Sequence, residues 1–201
     1  MMRKWQYEEF QEPAAKVAPK LLGSYLVHVR PDTTFVGRIV ETEAYGGTYR
    51  RQVDDGAHSH KGLTARTEPM FCAGGIAYVY LIYGMYYCMN IVTASPGDAQ
   101  AVLIRAVEPV DGIERMLVNR KATKVTKKLT NGPGKLCMAM EIGLAENKID
   151  LCGESLFILH GESGILMHTE RSRRINIDYA VKGKYFPWRF YIKNNPFVSK
   201  G

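Results

Sequence analysis

Two runs of aromatic and β-branched residues, 76–82 and 86–93, flank Tyr83-Gly84-Met85, and this pattern constrains the fold more than any other stretch of the chain. Such runs joined through a glycine form a β-hairpin with an exposed tip. Further runs at 25–29, 35–43, 101–107, 155–160, 173–177 and 188–193 also read as strands. Helical periodicity is confined to three short stretches. The first opens at Pro13, buries Ala14, Val17, Leu21 and Leu22, and stops at Gly23. The others cover 109–120 and 133–141. Strands outnumber helices and follow one another directly, which predicts an α+β fold with a curved, largely antiparallel sheet and a few packed helices. A chain of 201 residues that is 46% apolar can enclose one core, so residues 1–201 are expected to form a single compact domain.

The chain carries 27 Lys and Arg against 20 Asp and Glu, a formal charge of +7, which favours a polyanionic partner without identifying it. No stretch approaches the roughly 20 apolar residues of a membrane span, and the first twelve residues are polar, so a protein away from membranes is expected. Cys72, Cys88, Cys137 and Cys152 form no C-x-x-C pair and read as ordinary thiols. Residues 46–75 show no periodicity, and a loop of that length in a compact domain is often functional.

Glu41 and Glu43 are two apart in a strand, so both side chains point to one face. A carboxylate there can deprotonate water and stabilise the positive charge that develops when a glycosidic bond breaks. The same pair can equally be a strand end neutralised by Lys or Arg. Tyr78, Tyr80, Tyr83, Tyr86 and Tyr87 crowd the hairpin. Their rings can stack on an extruded base, and one at the tip can fill the gap a flipped nucleotide leaves, although core packing explains Tyr87 as well. His58 and His60 lack a third ligand at metal-binding spacing, so no metal or other cofactor is expected. Asn131-Gly-Pro-Gly-Lys135 runs straight into a helix, a place where backbone N–H groups and a lysine can meet phosphate or simply make a turn.

The strings Arg38-Ile-Val-Glu-Thr-Glu-Ala-Tyr45, Ala57-His-Ser59, Met70-Phe71, Tyr78-Val-Tyr-Leu-Ile-Tyr-Gly-Met-Tyr86, Cys88-Met-Asn90, Val102-Leu-Ile-Arg105 and Gly132-Pro-Gly-Lys-Leu136 occur in that order. Together with Arg189-Phe-Tyr191 and Pro196-Phe-Val-Ser199 they resemble the alkyladenine (3-methyladenine) DNA glycosylase family over nearly the whole chain. The resemblance implies a monofunctional enzyme that extrudes damaged purines from double-stranded DNA and hydrolyses the N-glycosidic bond. It makes Glu43 the general base, with Arg105 beside the catalytic water and Glu41 in support. Tyr45, His58 and Tyr80 would enclose the flipped base, Asn90 would discourage guanine, Tyr83 would intercalate, and Lys135 would meet DNA phosphate. The lack of a long basic tail and of a targeting segment fits a bacterial cytoplasm and nucleoid, and a monomer is expected. Two departures from the family stand out: the segment between Tyr45 and His58 is longer, and Asn176 replaces a glycine. A lesion-binding protein without catalysis and an RNA-binding protein on the same fold are the alternative readings.

Overall fold

The computed structural model describes residues 2–162 and 167–199. In chain order its elements are helix α1 (Ala14–Lys20), strands β1 (Tyr25–Arg30), β2 (Thr33–Tyr45), β3 (Thr48–Tyr49), β4 (Gln52–Val53), β5 (Ala77–Ile82), β6 (Tyr86–Thr93) and β7 (Gln100–Asp111), helices α2 (Ile113–Asn119) and α3 (Pro133–Ala139), and strands β8 (Leu156–Leu159), β9 (Thr169–Ser172) and β10 (Arg189–Ile192). Eight strands form one open sheet in the order β5-β6-β7-β2-β1-β8, with β10 joined to β2 and β9 to β10, every pair antiparallel. The fold is therefore α+β, as expected. Among the described residues, no helix is long and apolar enough to cross a membrane.

The sheet divides at β2. Along one edge its first half, from Thr33 to Arg38, pairs with β1, whereas Glu41, Thr42 and Glu43 pair with β10. Along the other edge β7 follows it to Tyr45. Alternation then sorts the side chains of β5, β6 and β7. Val79, Met89, Ile91, Val102 and Ile104 enter the main core with Ala14, Val17 and Ala18 of α1 and Leu136 of α3. The opposite face carries Met70, Tyr78, Val92 and Ala101, a second apolar cluster against which Tyr80 packs. Strands covered on both faces explain the nearly unbroken apolar runs in the sequence.

Three expectations are corrected. Residues 109–111 continue β7, and the helix starts only at Ile113, after Gly112 reverses the chain with φ +71°. Pro109, which has no N–H to donate, sits beside a register irregularity at Gly37, where a proline is tolerated. Segment 173–177 is irregular, and the strand lies earlier, at Thr169–Ser172. There the Ile175 N–H donates to the Glu43 carboxylate instead of a neighbouring strand, and Asn176 has φ +58°. Finally, the region 46–75 is built from the β3–β4 hairpin and two 3-10 turns, His58–Lys61 and Glu68–Phe71.

Candidate active site

Two β-bulges set the site. Ile39 pairs with Val107 and Glu41 with Ala106, which leaves Val40 as an extra residue in β2. One step further Thr42 pairs with Ile104, so Arg105 is the extra residue in β7. A bulge reverses the inside-outside alternation and re-aims side chains. Phe35 and Ile39 belong to the main core, and after the bulge so does Ala44, while Thr42 is buried with its hydroxyl donating to the Ala18 carbonyl of α1 at 2.9 Å. Glu41, Glu43 and Arg105 are thereby turned to the face away from the helices.

Both carboxylates are fully buried rather than at an exposed strand end, yet both pair with arginine. Arg105 binds both, Nε to Glu41 Oε1 and Nη1 to Glu43 Oε2, each at 3.1 Å. Glu41 is further saturated by Arg189 Nε at 2.7 Å, by the Ser199 amide at 2.7 Å and by the Ser199 hydroxyl at 2.8 Å. All four of its hydrogen bonds go to Arg105, Arg189 and Ser199, and Glu41 acts as a structural anchor for the C-terminal segment. Glu43 accepts from the Tyr45 hydroxyl at 2.8 Å on Oε2 and from the Ile175 amide at 2.7 Å on Oε1. Burial opposes the charge of Arg105, but Glu43 and Glu41 outweigh it and hold the guanidinium protonated above its ordinary range.

In front of these groups is a cavity of about 360 Å³, large enough for a purine, bordered by Tyr45, His58, Tyr80, Asn90, Arg105 and Ile175 among others. All the residues expected to enclose a base thus meet in one place. Glu43 does not border the cavity itself, but each of its hydrogen-bond partners does. His58 meets Tyr80 edge-on at 4.7 Å between ring centroids, and its Nδ1 is 3.2 Å from the Tyr78 hydroxyl. Burial, helped by the Arg66 cation, pulls the His58 pKa down to about 4, so the ring is neutral near pH 7. Burial also raises the Tyr80 hydroxyl, with Cys88 and Tyr78 adding to the effect. Asn90 is locked by its Nδ2 donating to the Tyr78 carbonyl at 3.0 Å. These groups form an aromatic, mostly neutral slot with one cation at its back.

Tyr83 stands at the rim of this cavity, 77% exposed at the tip of the β5–β6 hairpin. It adopts φ +53° and Gly84 φ +68°, and the Met85 amide closes the turn on the Ile82 carbonyl at 3.2 Å. Exposing a large ring at a strained position gives the chain nothing internally. Across the cavity mouth, Pro133 and Gly134 open α3. A side chain at Gly134 would meet Tyr86 Cβ at 2.9 Å, so glycine is what lets this helix approach the hairpin. Lys135 donates to Asn131 Oδ1 at 2.9 Å, and its pKa is lowered by partial burial and by the nearby Arg120 and Lys128. Three crowded cations of this kind favour an anion.

Several contributors have partners that no local sequence pattern reveals. Arg174 is fully buried and forked onto Asp54, with Nη1 to Oδ2 at 2.7 Å and Nη2 to Oδ1 at 2.6 Å. Its guanidinium also packs over the Tyr45 ring at 4.5 Å and the Trp188 ring at 5.5 Å. Arg66 covers Tyr80 at 4.9 Å. Ser199 seals Glu41 from a segment 158 residues away. In all these cases the partner is remote in sequence, so only the fold reveals the pairing.

A sequence model of methylpurine-DNA glycosylases matches residues 8–196. The chain is 50% identical over 199 residues to a protein of Alkaliphilus oremlandii, covering 95% of this chain and 96% of that one. It is 45% identical over 206 residues to one of Clostridium tetani (98% and 99% covered) and 52% identical over 194 residues to one of Bacillus mycoides (92% and 93% covered). All three relatives carry the name "Putative 3-methyladenine DNA glycosylase".

Proposed function

The chain belongs to the methylpurine-DNA glycosylase family and is accordingly a DNA repair hydrolase acting on N-glycosyl bonds, and from that premise we propose that it excises alkylated or deaminated purines flipped into the aromatic cavity, with Glu43 as the general base. The substrates are 3-methyladenine, 7-methylguanine, hypoxanthine and ethenoadenine in double-stranded DNA, and the product is an abasic site in an uncut strand. The observation that carries this reading is the set Glu43, Arg105 and Tyr45, a buried carboxylate held by a fixed cation directly behind an aromatic slot.

Tyr45 and His58 take the two sides of the extruded base and Tyr80 closes the slot. A purine alkylated at N3 or N7 is positively charged, which weakens its glycosidic bond and strengthens its attraction to tyrosine faces. Neutral hypoxanthine lacks that activation and turns over more slowly. Asn90, its amide held by Tyr78, crowds the exocyclic amino group of guanine. Tyr83 fills the space the nucleotide vacates in the duplex. Lys135, with Arg120 and Lys128, holds a backbone phosphate.

The attacking water must reach Glu43 Oε2, where the Tyr45 hydroxyl now sits at 2.8 Å. Water takes that position when the nucleotide seats, gives a proton to Glu43, and adds to the sugar C1′ as the base departs. Arg105 stabilises the carboxylate and orients the water. The enzyme works as a monomer, a single domain over residues 1–201, in the bacterial cytoplasm at the nucleoid. Glu43→Gln tests the assignment in a single-turnover assay of base release from a hypoxanthine or ethenoadenine duplex. The variant should bind lesion duplex and release base about 10²- to 10⁴-fold more slowly. Near-normal turnover would show that Glu43 is not the base.

A further inference from the structure

A second, more open groove of about 620 Å³ lies beside the base cavity, bordered by Tyr49, Arg50, Arg173, Lys182 and Tyr185. One stretch of chain walls both spaces, since Ile175, Asn176 and Tyr179 border the cavity and Arg173, Lys182 and Tyr185 the groove. The far wall is the β3–β4 hairpin, which lies within the extra residues between Tyr45 and His58. We propose that this groove binds the phosphodiester backbone of duplex DNA flanking the base that enters the cavity.

The hairpin tip supplies the first argument. Arg50 and Arg51 sit at the turn with φ +48° and +66°. Those are the two positions a tight hairpin gives to Asn-Gly, because side chains resist positive φ. A turn selected for stability alone would not place arginine at both. Neither guanidinium recovers the cost inside the protein: among the described residues neither has an ion pair or side-chain hydrogen bond, and Arg50 only lies over the Tyr49 ring at 5.3 Å.

The opposite wall repeats the theme. Arg173 at 4.9 Å and Lys184 at 5.3 Å both lie over the Tyr185 ring, and Lys182 borders the groove, again without acidic partners among the described residues. The acids that could neutralise them are committed elsewhere. Asp54 is consumed by Arg174, and Asp55 accepts the backbone amides of Val181, Lys182 and Gly183 at 2.8, 3.1 and 2.6 Å. Those bonds fix residues 181–183 against the hairpin base, and among the described residues Arg50, Arg51, Arg173, Lys182 and Lys184 form no side-chain ion pair. Tyr49 is itself packed on Phe186 at 5.1 Å and Trp188 at 6.1 Å, so the platform beneath Arg50 is rigid. A groove bordered by Arg50, Arg173 and Lys182, none of them ion-paired among the described residues, beside a base pocket matches a phosphodiester chain passing that pocket.

The location of the groove on the DNA rests on reading the cavity as the base site; its affinity for phosphodiester does not. The test therefore uses undamaged duplex. Replacing the tip with the turn's preferred residues, Arg50→Asn with Arg51→Gly, removes two cations without disfavouring the hairpin. If both contact phosphates, the slope of log affinity against log salt should be shallower by about 1.8, so that between about 50 and 200 mM salt the wild type loses about twelvefold more affinity than the variant. Lys182→Gln with Lys184→Gln should flatten the slope in the same direction. Shortening the duplex on one side of a lesion should weaken the wild type but not the tip variant. Equal salt slopes would overturn the proposal, and so would polyglutamate binding that depends on Arg50 and Arg51 alongside equal DNA slopes, since the groove would then take acidic protein. Unequal slopes with undiminished turnover in Glu43→Gln would keep the groove and reject the base assignment, so the two readings fail separately.

Discussion

Replacing Asp54 by asparagine probes how the longer segment after β2 supports the cavity. The Asp54 carboxylate accepts four hydrogen bonds, two from Arg174 and one each from the amides of Gly46 and Gly56. Asparagine keeps one oxygen and turns an NH₂ toward two of those donors. Two charge-assisted bonds at about 1.5–3 kcal/mol each are lost, about 3–6 kcal/mol. An independent route agrees, because removing one partner of a buried ion pair costs about 3–5 kcal/mol. Against a total stability of about 5–15 kcal/mol the variant should still fold. In urea, with a slope of about 2–3 kcal/mol per molar, its midpoint should fall by roughly 1–3 M. The double replacement Asp54→Leu with Arg174→Met should recover only part of that loss, because it removes the buried charges but leaves the Gly46 and Gly56 amides and the Ala44 and Gly183 carbonyls without these partners. Base release should not recover with it, since Arg174 also underlies the Tyr45 ring at 4.5 Å and binds the Ala44 carbonyl at 2.9 Å. A midpoint shift below about 0.3 M at unchanged slope would refute the energetic argument. Full recovery of base release in the double variant would refute the positioning role.

The other expectations are shorter. Tyr45→Phe keeps the ring but frees Glu43 Oε2, so single-turnover base release should hold within about threefold or rise; a loss of about 10²-fold would mean that the hydroxyl relays the proton. His58 titrates at about 4 in the folded protein against the usual 6.5. The unfolded chain therefore binds the extra proton first, and the stability His58 contributes is complete above pH 6.5 and lost as pH falls toward 4. Denaturation midpoints measured from pH 7 to 4 should decline less steeply in His58→Gln, and NMR of the ring should show no midpoint near 6.5. Asn176, with φ +58°, should tolerate glycine with little change in stability, whereas Asn176→Val should cost about 1–3 kcal/mol in chemical denaturation. Equal midpoints for the two variants would show that the backbone there relaxes.

Asn176 also shows how much can be read from sequence. It departs from the family glycine, and the structure makes this a conformational substitution: asparagine enters the left-handed region more readily than other residues with a Cβ. The hairpin, its exposed Tyr83 and the β1, β2, β5 and β6 strands were legible because each depends on local alternation and turn chemistry. The 173–177 segment was misread for the opposite reason. Its apolar and charged residues look extended, yet Arg174 and the Ile175 amide find partners more than 100 residues away. Tertiary hydrogen bonds outweighed local propensity there.

The general-base assignment has the same mixed origin. Period-two spacing puts Glu41 and Glu43 on one face, but it cannot say which face or which of them stays available. The bulge at Val40 answers the first, because without it Glu41 and Glu43 would point at α1 and the helical core. The bulge at Arg105 brings the guanidinium to the same level from the neighbouring strand. The C-terminal segment separates the two further, since Ser199 and Arg189 hold Glu41, while Tyr45 and Ile175, which border the cavity, hold Glu43. Two carboxylates that are equivalent by sequence spacing are thus held differently, Glu41 by the C-terminal segment and Glu43 by Tyr45 and Ile175 at the cavity, which is why the proposed base is Glu43.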